Sequence, residues 1–209
     1  MSKSPVDDPG AFWDEKFGQA EYRYGKKPNA FVAKTLPGLV EAGAKVLCVG
    51  DGEGRNGVWC AEQGYDTTSI EPSKVGTEKI AALADERGVE VTTINDGMPS
   101  EAIGDKSYDA VVLTFIHAPE GMRQTIHNAC IDALRPGGVI VLEGFTPAQR
   151  LNDRTSGGPP SVELMFTAEM LGEDFADLTI EHLSEEVVDL DEGEGHRGPA
   201  DVVRLVARK

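Results

Sequence analysis

The chain predicts an α/β domain built on a mostly parallel sheet, and three observations carry that expectation. Short runs of strand length, at 46–49, 67–70, 89–94, 108–115 and 139–142, alternate with stretches of helical periodicity. The first run ends in glycines at alternate positions, Gly50-Asp51-Gly52-Glu53-Gly54, which allow a tight turn and close approach of a ligand to the backbone. The 209 residues, 40% of them hydrophobic, suit one domain with a full core.

Taken in order, residues 10–18 read as a short helix with Phe12, Trp13, Lys16 and Phe17 at helical spacing. Residues 21–29 are too rich in glycine and charge for a regular element. Pro28 is placed to open a helix that carries Phe31, Val32 and Leu36 towards Leu39. After the first strand, 55–63 is a helix closed by Gly64. The second strand runs to Glu71, and Pro72 and Ser73 open a helix with Ile80, Leu83 and Ala84 facing inward and Gly88 at its end. Pro119 starts a helix through Ile126, Cys130 and Leu134, terminated by Pro136-Gly137-Gly138. Residues 146–164, with Gly157-Gly158-Pro159-Pro160, read as an inserted mobile loop over the pocket. Thr167 caps a helix over 168–172, and two strands, 177–190 and 200–208, close the chain. Between them, 191–198 reads by composition as an acidic hairpin turn that carries His196 and Arg197.

The chemistry starts at the glycine loop. Glu71 lies about 20 residues past the first glycine, where an acid accepts hydrogen bonds from nucleoside ribose hydroxyls. The spacing is G-x-G-x-G instead of the dinucleotide pattern G-x-G-x-x-G, and Glu53 inside the loop would repel a pyrophosphate. A cationic ligand is compatible with it. S-adenosylmethionine carries a sulfonium and an ammonium.

Gly50 to Asn56, Glu71, Asn95-Asp96-Gly97, Tyr108 to Val112 and Leu134-Arg135-Pro136-Gly137-Gly138 together resemble the successive motifs of class I S-adenosylmethionine-dependent methyltransferases. The resemblance is clearest over residues 45–145; both ends are similar to the small-molecule branch that includes the tellurite-resistance and thiopurine methyltransferases. It implies a Rossmann-like three-layer sandwich of seven strands with an antiparallel last strand. It also implies an N-terminal lid (residues 1–40) on a methyltransferase domain (41–209), one domain overall. The implied cofactor is S-adenosylmethionine, leaving as S-adenosylhomocysteine, held by Gly50, Asp51, Gly52, Glu53, Gly54, Arg55, Asn56, Glu71, Pro72, Asp96, Gly97 and Phe115. Asp96 is the expected partner of the adenine amino group. Trp13, Tyr22 and Tyr24 either shield the methyl donor and substrate or pin the terminal segment to the domain. His117, at the end of the fourth strand, is a general base, a substrate hydrogen-bond partner or a structural histidine. The resemblance also sets residues 191–198 beside the acceptor pocket, with His196 and Arg197 available for acid–base or anion-binding work, so the catalytic candidates are His117, His196 and Arg197, with no metal.

Net charge of −16 disfavours phosphate backbones and anionic membranes as partners. Three cysteines fit neither a disulfide framework nor a metal site, and the N-terminus has no apolar leader, which predicts a cytoplasmic protein. The expected partner is a small-molecule methyl acceptor, for which the resemblance suggests a soft sulfur, selenium or tellurium nucleophile, with a monomer or homodimer as the assembly. The alternatives are a non-catalytic S-adenosylmethionine-binding regulator and an NAD(P)-dependent oxidoreductase. The glycine spacing disfavours the oxidoreductase, as does the position of Tyr22-x-x-x-Lys26 ahead of the loop. A nucleic-acid methyltransferase is disfavoured by the acidity.

Overall fold

The computed structural model describes residues 7–104 and 107–209. The leading six residues, read above for the lack of an apolar leader, lie outside them. Seven strands form one sheet: β1 (Lys45–Val49), β2 (Asp66–Ile70), β3 (Thr92–Ile94), β4 (Tyr108–Thr114), β5 (Leu134–Phe145), β6 (Thr179–Glu192) and β7 (His196–Arg208). Their order is β3-β2-β1-β4-β5-β7-β6. The first five pair in parallel, and β7 lies antiparallel between β5 and β6. The order reverses between β1 and β4, so the crevice at their carboxyl ends is where a ligand of such a sheet belongs.

The central strands are buried on both faces, and their alternation builds two cores. Leu47, Val49, Val111, Leu113, Ile140 and Leu142 pack against Ile126 and Cys130 of α5 (Glu120–Ala133) and Leu171 of α7 (Ala168–Asp174). Val46, Cys48, Ala110, Val112, Val139 and Val141 face Phe31 and Val32 of α2 (Ala30–Thr35) and Cys60 of α3 (Arg55–Glu62). Helices on both sides of the sheet complete the three layers. All three cysteines are free and buried. Among the described residues, no helix is long and apolar enough to cross a membrane.

Several boundaries differ from the sequence expectation, each for a local reason. Pro28 does not open α2; Asn29 is its N-cap, with Oδ1 accepting from Val32 N at 3.0 Å. The helix after Pro119 stops at Ala133, because Leu134 already pairs with Tyr108 and the ladder resumes at Ala110 and Val139. The intervening Pro136-Gly137-Gly138 turn is tied to the chain end, with Gly137 N donating to Lys209 O at 2.8 Å. The third strand is only Thr92–Ile94; Val89 and Val91 turn aside to pack with Ile80 and Leu83 of α4 (Lys74–Arg87). The last two strands run further than expected, leaving a turn of Gly193, Glu194 and Gly195 between Glu192 and its partner His196.

The 146–164 insertion holds α6 (Ala148–Leu151) and a 3-10 turn, Val162–Leu164. Arg150 donates to the carbonyls of Arg154, Gly158 and Pro159, and Arg154 pairs with Asp201 at 2.8 Å. It is a cross-linked cover, not a run without structure. At the other end, α1 (Pro9–Phe17) docks on the start of α4, where Asp14 Oδ1 accepts from Ser73 Oγ at 2.6 Å and Val75 N at 3.0 Å.

Candidate active site at the strand ends

Gly50, Gly52 and Gly54 all take left-handed backbone, with φ of +55°, +61° and +93°. Only glycine holds such a run without strain. A Cβ would stand 2.3 Å from Ile116 Cδ1 at Gly50, 3.0 Å from Ile80 Cα at Gly54 and 3.3 Å from the Phe17 ring at Gly52, whose N–H donates to Glu71 Oε2 at 2.8 Å. Phe17 and Trp13 stack at 5.2 Å, so α1 covers the loop from outside. Asp51 turns inward. Its carboxyl accepts from Gly57 N and from Ser69 Oγ at 2.6 Å, which caps α3 from below, and burial pushes its pKa up to about 6. Gly57 is required for this contact, because a Cβ would lie 2.4 Å from Asp51 Oδ2.

Glu53 turns towards the N-terminal segment. It accepts from Arg23 N at 2.7 Å and pairs with Lys79 Nζ at 2.6 Å. Its charge is therefore neutralised inside the protein, and it acts as a clasp for the segment. Glu71 takes two backbone N–H groups, from Gly52 and Ser73. Burial nonetheless pushes its pKa up to about 8. A carboxylate has roughly four acceptor sites, so about two remain for ribose hydroxyls. Pro72 carries Glu71 into α4, and its carbonyl accepts from Asn95 Nδ2 at 3.0 Å. Asp96 is exposed, with its oxygens on Gly97 N and Ser100 Oγ.

At the other side of the crevice the chain leaves β4 through Phe115, a non-glycine residue at φ +58°. Such a conformation in a bulky residue is sparsely populated and clusters at functional sites. It turns the ring onto Phe145 at 4.6 Å and His196 at 4.4 Å. His117 is engaged through both nitrogens. Nδ1–H donates to Leu164 O at 3.0 Å and Nε2 accepts from Phe145 N–H at 3.1 Å, the tautomer that these partners assign. Burial lowers its pKa to about 4.

His196 and Arg197 part company because successive strand residues face opposite ways. Arg197 is exposed, while His196 is buried against Tyr24 at 4.4 Å. Its Nδ1 lies 3.2 Å from Glu192 Oε2, which also takes Arg55 Nη2 at 2.9 Å. Burial lowers the His196 pKa. Asn29 Nδ2 joins this group to Glu143, donating to Glu192 Oε1 at 3.0 Å and Glu143 Oε1 at 2.7 Å. Arg204 Nε donates to the other oxygen of Glu143 at 2.6 Å, and Asn56 links Asn29 N to Thr114 Oγ1. Tyr22 stands apart, its hydroxyl on Lys79 O at 3.2 Å and its ring beside the Lys26 and Lys79 ammoniums.

The structure thus gathers Gly50 to Asn56, Glu71, Phe115, His196, Trp13 and Tyr24 at the carboxyl-end side of the sheet. Arg197 faces away, and Asp96 lies beyond at the end of β3. Sequence reasoning missed Asn29, Glu143, Glu192 and Arg204. Glu143 had a signal, an acid closing the apolar run 139–142, and Arg204 had another, a lone charge inside the apolar run 202–206; Asn29 and Glu192 lie in polar stretches that give none.

A glycine loop at the end of β1, an acid at the end of β2 and this strand order form an α/β Rossmann-like methyltransferase fold. Residues 46–138 match the model of a methyltransferase domain. Solved structures agree. One, from work on the conversion of a disulfide bond into a thioacetal group during echinomycin biosynthesis, is 19% identical with TM-score 0.74, covering 96% of this chain and 90% of that one. TehB from Haemophilus influenzae is 18% identical with TM-score 0.68 over 96% of this chain and 66% of its own. A SAM-dependent methyltransferase from Methanosarcina mazei is 16% identical with TM-score 0.70 over 88% and 98%. Identities this low show a shared fold. No curated protein sequence matches. The methyltransferase domain and its structural neighbours imply S-adenosylmethionine as the cofactor.

Proposed function

We propose that this protein transfers the methyl group of S-adenosylmethionine to a small-molecule acceptor that arrives already deprotonated, a soft sulfur, selenium or tellurium nucleophile. The observation that supports this reading is the poor basicity of both histidines at the crevice. His117 has no free nitrogen and a pKa near 4, and burial holds His196 below its ordinary value. A hydroxyl or ammonium acceptor needs a base near its working pH. A thiolate or its heavier analogues need none. One structural neighbour comes from work on the conversion of a disulfide bond into a thioacetal group, a change at sulfur.

When bound, the cofactor supplies an electrophilic methyl on a sulfonium. The residues of this chain bind and orient. Gly50, Gly52 and Gly54 let the donor approach the backbone, Glu71 takes the ribose hydroxyls, and Asp96 with Gly97 takes the adenine edge. Phe115, Phe145 and His196 wall the acceptor side. Trp13, Phe17 and Tyr24 exclude water, and alignment of donor and acceptor supplies the rate. His117 positions the ends of β4 and β5, and Arg197 serves the surface. The covering by Phe17 gives a second reading some weight, that of a cofactor-binding regulator without turnover.

The test is calorimetric titration with S-adenosylmethionine, S-adenosylhomocysteine and, as control, NADH, in the natural protein and in Gly52→Arg. Binding of both adenosyl ligands, lost in the variant and absent for NADH, is expected. NADH binding alone overturns the reading. Formation of S-adenosylhomocysteine stimulated by a panel of thiols, selenide and tellurite then separates enzyme from regulator.

A further inference from the structure

Residues 19–25 run between α4 and the β6–β7 turn and are held on both sides, but unequally. On the α4 side, Lys79 Nζ donates to Gln19 O at 2.6 Å, Glu21 O at 3.0 Å and Glu53 Oε1 at 2.6 Å. That uses all three donors of the ammonium. Glu53 Oε2 takes Arg23 N at 2.7 Å, the Tyr22 hydroxyl donates to Lys79 O at 3.2 Å, and Lys26 pairs with Glu86. On the turn side, Arg23 O accepts from Gly195 N at 3.0 Å. Lys27 and Asp191 stand 3.7 Å apart there, both well exposed, and such a pair adds little. The rest of that side is close packing. A Cβ on Gly193 would lie 2.5 Å from Gly25 N, and one on Gly195 would lie 2.4 Å from the Tyr24 ring.

We propose that this strap is a gate that lifts at the β6–β7 turn, where Arg23 O and Tyr24 come away, while Glu53 and Lys79 hold it as a hinge. A cover of this kind is expected from the resemblance; the side that lifts is decided by these residues. Charge-assisted hydrogen bonds are roughly twice as strong as neutral ones, and the α4 side has several. The turn side has a neutral amide–carbonyl bond and two glycines against the strap, so it separates first. Arg23 is the pivot, with its N–H on Glu53 and its C=O on Gly195. Lifting Tyr24 uncovers His196, 4.4 Å beneath it, and His196 packs on Phe115 at 4.4 Å. In the proposed reaction these rings wall the acceptor side, and ligands come and go past them. That last step rests on the methyltransferase reading; the direction of opening does not.

The experiment begins with residue-resolved amide hydrogen exchange by NMR on the ligand-free natural protein. The Gly195 amide is released with the gate and the Arg23 amide stays on the hinge. After correction for intrinsic rates, Gly195 should exchange at least about tenfold faster than Arg23. Equal rates, or a faster Arg23, overturn the proposal. In Gly195→Ala the new methyl group must displace the Tyr24 ring. Trypsin should then cut after Arg23 and Lys26 roughly tenfold faster, with the urea midpoint little changed. S-adenosylhomocysteine should also associate faster, followed by stopped-flow fluorescence. Unchanged cleavage overturns the gate, and unchanged association with faster cleavage overturns its role in ligand exchange. Should Gly195→Ala fail to fold, judged by circular dichroism, the exchange ratio of the natural protein decides. If the natural protein binds no S-adenosylhomocysteine, the methyltransferase reading falls, and the exchange ratio still decides the gate.

Discussion

Two buried clusters in this protein have the same composition, an arginine, a histidine and one carboxylate, and differ in how completely they are bonded. Between α5 and α7, Asp174 takes Arg123 through two nitrogens, at 2.7 and 3.2 Å, and His127 Nδ1 at 2.7 Å. At the strand ends, Glu192 takes one nitrogen of Arg55 at 2.9 Å and His196 Nδ1 at 3.2 Å, and Arg55 Nη1 is left over. The first cluster is closed on itself under Phe166 and Phe175 and holds two helices together. The second keeps an unused donor beside the glycine loop. Complete bonding marks a structural device, and a buried donor without a partner is the point at which the second network stays open.

The largest expected effect breaks the closed cluster. Asp174→Asn leaves Arg123 and His127 buried without their counter-charge and costs about 3–5 kcal/mol in a urea titration. Arg55→Lys, by contrast, keeps the positive charge and gives up only the guanidinium geometry. Glu192 keeps Asn29 and His196, and the cost is about 1–2 kcal/mol. Equal losses in the two variants would erase the distinction. The clusters also differ from the glycine loop in their response to pH. Burial opposes the Asp174 charge, but the hydrogen bonds from His127 and Arg123 outweigh it and lower its pKa from 3.8 to about 2. Its contribution is fully present above 3.8 and is lost as pH falls through about 2. Glu71 has the opposite sign. Its pKa is raised from 4.5 to about 8, so its contribution is present below 4.5 and lost as pH rises through 8. The urea midpoint of the ligand-free protein should therefore decline between these values, and Glu71→Gln should flatten that decline. The smallest effect is expected at Arg197, exposed and opposite His196; Arg197→Ala should change stability by less than about 0.5 kcal/mol and leave cofactor binding intact.

Much of the architecture was legible before any coordinates. The continuous apolar runs in 46–49, 108–115 and 139–142 report strands buried on both faces, and Ser73 and Gly88 mark the ends of α4 through capping and left-handed backbone. These signals are local, so a linear reading finds them. The ends of elements were harder. The Pro136-Gly137-Gly138 turn takes its partner from Lys209, and the 191–198 stretch becomes strand through pairing of β6 with β7, partners that composition does not reveal.

By itself, the sequence determined the order of strands and helices, the glycine loop and the acid that follows β2, because sterics and periodicity act over a few residues. Tertiary structure decided what those groups touch. It turned Glu53 into a clasp for Arg23 and Lys79, engaged both nitrogens of His117, and set His196 and Arg197 on opposite faces. It joined Asn29 to Glu192 across 163 residues and left Arg55 with one nitrogen unpaired. Burial decides which charges must find partners, and the packed sheet determines which partners are within reach.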